Sequence, residues 1–126
     1  MFEQDYIMRL IHDMVRVILK MVFDLDEPEA EKAEENLSAR SEKYRNLLLR
    51  LKKGELQEAE DDLFESIDTE NMRDLQMALF FYDRLNGKTD EELAQAGMER
   101  EDVEDGVRGL LDLFGCSDLA DALLMG

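Results

Sequence analysis

The feature that most constrains this fold is the amphipathic pattern of residues 3–25. The polar side chains of this segment from Ile7 onward are Arg9, His12, Asp13, Arg16, Lys20 and Asp24. At about 100° per residue of a helix, they fall within an arc of roughly 120°. The apolar residues cover well over half of the circumference, which is wider than the stripe of an ordinary surface helix. The segment therefore predicts a helix that needs neighbours on at least two sides.

Three kinds of neighbour could cover this first helix: later helices of the same chain, the first helix of a second copy, or a membrane interface. The later helices have narrow apolar stripes, so we expect them to leave part of the first helix uncovered. A twofold contact between two copies is the commonest way to bury such a remainder. We therefore predict a homodimer whose self-association residues are Ile7, Ile11, Met14, Ile18 and Met21.

The rest of the chain also has helical patterns. Asp26-Glu27-Pro28-Glu29 starts a second helix, because proline is tolerated in a first turn and acidic side chains favour the positive end of the helix dipole. This helix is predicted to run to about Lys53, and the short connection at Asp26 allows it to pair antiparallel with the first. Further helices are predicted over 55–67, 70–85, 89–97, 100–114 and 117–123.

The predicted fold class is all-α, since no segment alternates with a period of two residues. The expected architecture is a helical bundle in which a long N-terminal antiparallel hairpin packs on four or five shorter helices. A chain of 126 residues fits one domain, residues 1–126. The helix over 70–85 is expected to bury one face, formed by Met72, Leu75, Ala78, Leu79, Tyr82 and Leu85.

The negative charge of the chain lies in its C-terminal part. Residues 1–53 carry 10 Lys or Arg and 11 Asp or Glu, whereas residues 54–126 carry 5 and 21. A surface of this sign repels phosphate backbones and anionic lipid headgroups, and it attracts basic surfaces. We therefore expect no nucleic acid and no membrane among the partners. The predicted docking face for a basic protein is the acidic surface of residues 55–105, and the residues named for it are Glu99, Glu101, Asp102, Glu104 and Asp105.

Residues 93–107 resemble the helix-turn-helix of bacterial transcription regulators, which makes such a regulator an alternative. Gly97, Met98 and Val103 keep the mutual spacing of that motif. The helix that would enter the major groove, however, carries the five carboxylates just named against Arg100 and Arg108. It would approach the phosphates with the wrong sign, so we expect a structural helix pair that does not bind DNA.

Patterns for catalysis and metal binding are weak. The single histidine, His12, and the single cysteine, Cys116, have nothing near them in sequence that would complete a nucleophilic site. Residues 24–35 imitate the ends of an EF-hand loop, but Pro28 occupies a ligand position and Glu29 stands where a glycine turn is required. We therefore predict that the protein is not an enzyme and that it holds no metal and no cofactor.

A cytoplasmic location is expected. The single cysteine excludes an internal disulfide, in agreement with a reducing compartment. Glu3 and Asp5 stand where a secretory signal would carry positive charge. The alternative is a membrane-peripheral protein, in which the helix over 3–25 lies in the interface with its basic side chains outward.

The chain opens with Phe2-Glu3-Gln4-Asp5-Tyr6-Ile7-Met8-Arg9-Leu10-Ile11, and a second characteristic stretch runs from Asp90-Glu91-Glu92-Leu93 to Gly115. Together they resemble a family of short, acidic, all-helical bacterial proteins of uncharacterised function. The resemblance rests mainly on the first helix. It implies a small cytosolic bacterial protein without assigned chemistry, and it assigns no functional residue.

These patterns together predict a small acidic helical module for protein–protein interaction or scaffolding, without catalytic chemistry. We expect it to self-associate through its first helix and to bind a basic protein through its acidic side chains.

Overall fold

Eight helices make up the described part of the chain. The structure, a computed structural model, describes the backbone of residues 2–125 and the side chains of residues 4–119, 121 and 122. Met1 and Gly126, the ends of the predicted domain, lie outside the described residues. The helices are α1 (Phe2–Phe23), α2 (Glu27–Arg40), α3 (Glu42–Lys52), α4 (Leu56–Ser66), α5 (Met72–Asn86), α6 (Asp90–Gln95), α7 (Arg100–Leu113) and α8 (Ser117–Met125). Residues 2–125 contain no strand, and the predicted all-α class is confirmed.

α5 is the central helix of the bundle, with contacts to α1, α2, α3 and α7. Residues 77–82 are six consecutive apolar residues, so the helix has no polar face there, and all six are buried. The sequence prediction gave this helix a single inner face that includes Met72. Met72 is instead exposed in the first turn, while Phe80 and Phe81 are buried beside the expected residues.

The wide apolar face of α1 packs against helices of the same chain. α5 and α7 make most of its contacts, and α8 adds a smaller share. Ile11, Val15, Ile18 and Leu19 are fully buried as a result. The first helix therefore has neighbours on more than one side, as its pattern requires, and these neighbours are intramolecular.

The predicted hairpin of two long helices is not present in residues 2–52. The predicted second helix is divided at Ser41, whose backbone is extended at φ −105° and ψ 109°. The Oγ atom of Ser41 accepts a hydrogen bond of 3.1 Å from the amide of Tyr44, so Ser41 ends α2 and caps α3. A serine in this position satisfies a free amide of the new helix and thereby favours the break. α2 packs against α3 and α5 and makes little contact with α1.

A polar contact places α4 beside the start of α7. The side-chain amide of Gln57, near the start of α4, donates hydrogen bonds to the carbonyl oxygens of Ala96 and Gly97, at 2.9 and 3.3 Å. Gly97 lies in the turn between α6 and α7 and has a φ of +76°, which a glycine adopts without strain. The start of α4 thus lies beside the turn that leads into α7.

Candidate interaction surface

Two stripes of exposed carboxylates run along α4 and α7. Their spacing of three, four or seven residues places the members of each stripe on one side of its helix. We call the six residues the acidic face: Glu58, Asp61 and Glu65 on α4, with Asp102, Asp105 and Asp112 on α7. Within the described residues, none of the six forms an ion pair with a Lys, Arg or His side chain.

A contact between Tyr82, Glu60 and Gly106 joins the two helices. The hydroxyl of Tyr82, on α5, donates a hydrogen bond of 2.6 Å to Oε2 of Glu60, on α4. A Cβ atom at Gly106, on α7, would lie 2.5 Å from that hydroxyl and would also overlap the Glu60 carboxylate. A glycine at this position allows this close approach, so the three helices lie close together at Gly106.

Each of the two stripes contributes a carboxylate whose charge affects the Glu60 side chain. Burial raises the pKa of Glu60, the hydrogen bond from Tyr82 lowers it, and the charges of Asp61 and Asp102 raise it further. Asp61 belongs to α4 and Asp102 to α7, so carboxylates of both helices influence one carboxyl group. Burial and the neighbouring Glu60 raise the pKa of Tyr82, and its phenol therefore stays a hydrogen-bond donor.

Three of the five predicted docking residues are exposed: Glu99, Asp102 and Asp105. Asp102 and Asp105 belong to the acidic face. Glu99 immediately precedes α7, and its backbone amide donates a hydrogen bond of 2.8 Å to Oδ2 of Asp102. Asp102 therefore has a capping role at the start of α7 in addition to its place on the surface.

The other two predicted docking residues are half-buried and already have partners. Oε1 of Glu101 accepts a hydrogen bond of 3.2 Å from the side-chain amide of Gln4, on α1. Oε2 of Glu104 lies 2.8 Å from Nη2 of Arg108, one turn along α7. The predicted set therefore does not form one surface. The stripe on α4, which lies in the predicted acidic segment 55–105 but not among the five named residues, provides the other half of the acidic face.

The predicted self-association residues have different environments. Ile11, Met14 and Ile18 are buried in the core of the single chain, Ile7 is half-buried, and Met21 is 60% exposed. The first three are thus covered within the single chain, which corrects their predicted place in a contact between two copies. Met21 is the exposed apolar member of the set.

His12 and Cys116 do not form a joint site. Nδ1 of His12 lies 3.2 Å from Oδ1 of Asp83, whose other carboxylate oxygen accepts a hydrogen bond of 3.0 Å from Arg16. The half-buried thiol of Cys116 lies 3.7 Å from the carbonyl oxygen of Phe114. Each group thus has its own local partner, and within the described residues the two make no hydrogen bond to each other.

The described residues contain neither a cluster of metal ligands nor a helix that could cross a membrane. No group of three or more His, Cys, Asp and Glu side chains is placed to hold a metal ion. None of the described helices combines the length and the apolarity that crossing a membrane requires.

Comparison with known proteins gives one match. The curated proteins and the solved structures contain no match to this chain. A model of a family of unknown function, DUF6483, matches residues 1–115, which include α1 to α7 and the whole acidic face. This agrees with the resemblance of the first helix to an uncharacterised family. The chain belongs to the DUF6483 family, a family of unknown function.

Proposed function

We propose that the protein is a non-catalytic interaction module whose acidic face binds a basic surface of a partner protein. The observation that carries the proposal is the close approach of α4 and α7 at Gly106, where the Glu60 carboxylate of α4 meets the backbone of α7, so that both helices present their carboxylates of the acidic face on neighbouring parts of the surface. The contact at Gly106 holds these helices together, so the negative surface is preorganised. A rigid charged face loses little conformational entropy when a partner binds.

The charge of this face is available to a partner. Since its six carboxylates form no ion pair within the described residues, a partner need not break one to reach them. Complementary charge accelerates association and selects partners, and both effects weaken as salt screens the charges. Binding should therefore be fast and should weaken steeply with ionic strength.

The test is affinity capture from native lysate with three forms of the full chain. The first is the wild type, and the second carries Asp61→Asn, Asp105→Asn and Asp112→Asn on the acidic face. The third is the matched control, with Glu27→Gln, Glu31→Gln and Glu35→Gln on the exposed side of α2. Both variants lose three negative charges, so they differ only in where the charge is removed.

We expect a basic protein that the wild type and the α2 variant retain, that the acidic-face variant loses, and that raised salt elutes. The proposal is wrong if both variants retain the same proteins as the wild type. It is also wrong if both variants lose the same proteins, because total charge would then explain the binding.

The alternatives from the sequence find no support in the structure. A membrane-peripheral role would use the apolar face of α1, which is buried against α5 and α7. A DNA-binding role would present α7, whose outer stripe is acidic. A cytoplasmic location remains part of the proposal, supported by the single cysteine. Self-association stays a prediction, and on α1 it would have to use exposed residues such as Tyr6 and Met21.

A further inference from the structure

A cavity of about 550 Å³ lies between α3 and α5, on residues that the acidic face does not include. Its apolar lining comes from Leu48 and Leu51 on α3, and Gly87 at the end of α5 also lines it. The volume lies within the range typical of small-molecule sites, which are mostly apolar with a few polar groups that fix the ligand.

Three cationic side chains line this cavity in a chain of net charge −17: Lys52, Arg84 and Lys88. Lys52 makes no ion pair within the described residues. The ammonium group of Lys88 lies 3.8 Å from Oε2 of Glu92, which is too long for a hydrogen bond. The positive charge of both lysines is therefore available to a ligand.

The acidic side chains at the cavity, Asp83 and Glu92, already form ion pairs or hydrogen bonds within the chain. Asp83 is bound by Arg16 at 3.0 Å and by His12 at 3.2 Å, both from α1. Oε1 of Glu92 accepts a hydrogen bond of 3.0 Å from the amide of Thr89, as the second half of the capping box of α6. Arg16 offsets the charge of Asp83, whereas the amide of Thr89 is neutral and leaves the charge of Glu92 in place. Lys52 and Lys88 therefore outnumber the one carboxylate at the cavity that has no other cationic partner within the described residues.

Hydrogen bonds hold the basic side of the cavity in place. Nε of Arg84 donates a hydrogen bond of 2.6 Å to Glu34, whose same carboxylate oxygen accepts a hydrogen bond of 2.6 Å from Tyr44. The guanidinium of Arg100, which is 2% exposed, donates to the carbonyl oxygens of Asn86 and Lys88 at 2.6 and 2.9 Å.

This contact of Arg100 also changes the field at the cavity. The C-terminal end of a helix carries a partial negative charge, which would disfavour an anion nearby. The buried guanidinium of Arg100 donates to the carbonyl oxygen of Asn86, the last residue of α5, and it also lies 2.7 Å from a carboxylate oxygen of Asp90. Arg100 therefore satisfies the last carbonyl group of α5 and offsets part of its negative charge.

We propose that this cavity binds a small organic anion with an apolar tail. The anionic group, a carboxylate, lies between Lys52 and Lys88, and the tail packs on Leu48 and Leu51. The site is independent of the acidic face, and the chain thus combines a surface for a basic protein with a cavity for a small molecule of opposite charge.

The test uses hexanoate as the probe and follows the backbone amide signals of the ¹⁵N-labelled full chain by NMR. Acetate has the charge without the tail, and hexanol has the tail without the charge. We expect saturable shifts at the amides of Leu51, Gly87 and Lys88 with hexanoate at millimolar concentration. Acetate and hexanol should each bind at least about tenfold more weakly, which corresponds to the loss of about 1.4 kcal/mol.

The variant Lys52→Gln/Lys88→Gln removes the two lysine charges at the cavity. The control is Lys32→Gln/Lys53→Gln, which neutralises two exposed lysines that do not line the cavity. The first should lose hexanoate binding by about tenfold or more, and the control should lose much less. Thermal melting of both variants checks that they fold. Unsaturable or absent shifts with hexanoate would overturn the proposal, as would equal binding of hexanol or unchanged binding by the Lys52→Gln/Lys88→Gln variant.

Discussion

Tyr82 donates a hydrogen bond of 2.6 Å to Glu60, and this bond connects the central helix α5 to the acidic helix α4. The Tyr82 ring is fully buried and packs edge-on against Phe81 at 5.3 Å between ring centroids. The Glu60 carboxylate lies at the edge of the core, next to the exposed residues Asp61 and Asp102. The bond therefore links the core of the molecule to the surface that we propose for partner binding.

Gly106→Ala should lower the free energy of unfolding by about 1–3 kcal/mol, as overpacking of a closed interior does. The added Cβ would lie 2.5 Å from the Tyr82 hydroxyl. Gly109→Ala is the matched control on the same helix, because nothing lies within 4 Å of its Cβ position. That change should raise the stability by about 0.5–1 kcal/mol, through the higher helix propensity of alanine. Urea unfolding measures both, and equal effects would contradict the close contact at Gly106.

The stability contribution of Glu60 should depend on pH. Burial raises its pKa in the folded protein above the ordinary value of 4.5, so the folded state holds this proton more tightly than the unfolded chain. The favourable contribution is complete below pH 4.5 and is lost as the pH rises through the folded-state pKa. Glu60→Gln keeps an acceptor for Tyr82 and removes the titration. Its stability relative to the wild type should therefore increase from acidic to neutral pH.

Urea unfolding across this pH range measures the difference between Glu60→Gln and the wild type. Glu65→Gln provides an exposed carboxylate of the same helix for comparison. A difference between Glu60→Gln and the wild type that stays constant with pH would show that burial does not affect the carboxyl group.

The helices were largely predictable because their apolar residues recur at helical spacing. The division at Ser41 was not, since Leu37 and Tyr44 stand seven residues apart and keep the apolar face in register across the break. Periodicity alone cannot distinguish a serine inside a helix from one that caps the next helix. The expected antiparallel pairing of the first two helices required a continuous second helix. Because that helix ends at Arg40, the pairing does not form within residues 2–52.

Ser41→Ala should destabilise the protein by about 1 kcal/mol, the usual cost of removing an N-cap side chain. The Oγ atom of Ser41 accepts the hydrogen bond from the amide of Tyr44, and alanine leaves that amide without its acceptor. Ser38→Ala, within α2, is the control, because the hydroxyl of Ser38 makes no hydrogen bond within the described residues. Thermal unfolding of the two variants measures the difference. If Ser41→Ala were neutral or stabilising, the capping role of Ser41 would be disproved.

Ile18→Ala should cost about 2–5 kcal/mol, the usual range for emptying a core position. Ile18 is fully buried against the helices around α1, whereas Met21 on the same helix is 60% exposed. Met21→Ala should therefore change the stability by less than about 0.5 kcal/mol. Chemical denaturation compares the pair. Similar costs for both would mean that the exposed side of α1 is also covered, as in a contact between two copies.

Only part of the acidic face was predictable from the sequence. Asp102 and Asp105 follow from the run of carboxylates in the sequence, but Glu58, Asp61 and Glu65 lie some forty positions earlier. Sequence spacing does not show which helices are neighbours. Gly106 was the residue in the sequence that could have indicated a close contact of α7 with another helix. A glycine inside a helix costs up to about 1 kcal/mol relative to alanine and usually has a packing reason.

The central claim is that one chain buries its own first helix and leaves the acidic face for a partner. Native-state amide hydrogen exchange at low and high protein concentration tests it most directly. We predict that the amides of residues 14–19 exchange only through global unfolding, with the same protection at both concentrations. Weak protection of these amides, or protection that increases with protein concentration, would contradict the claim.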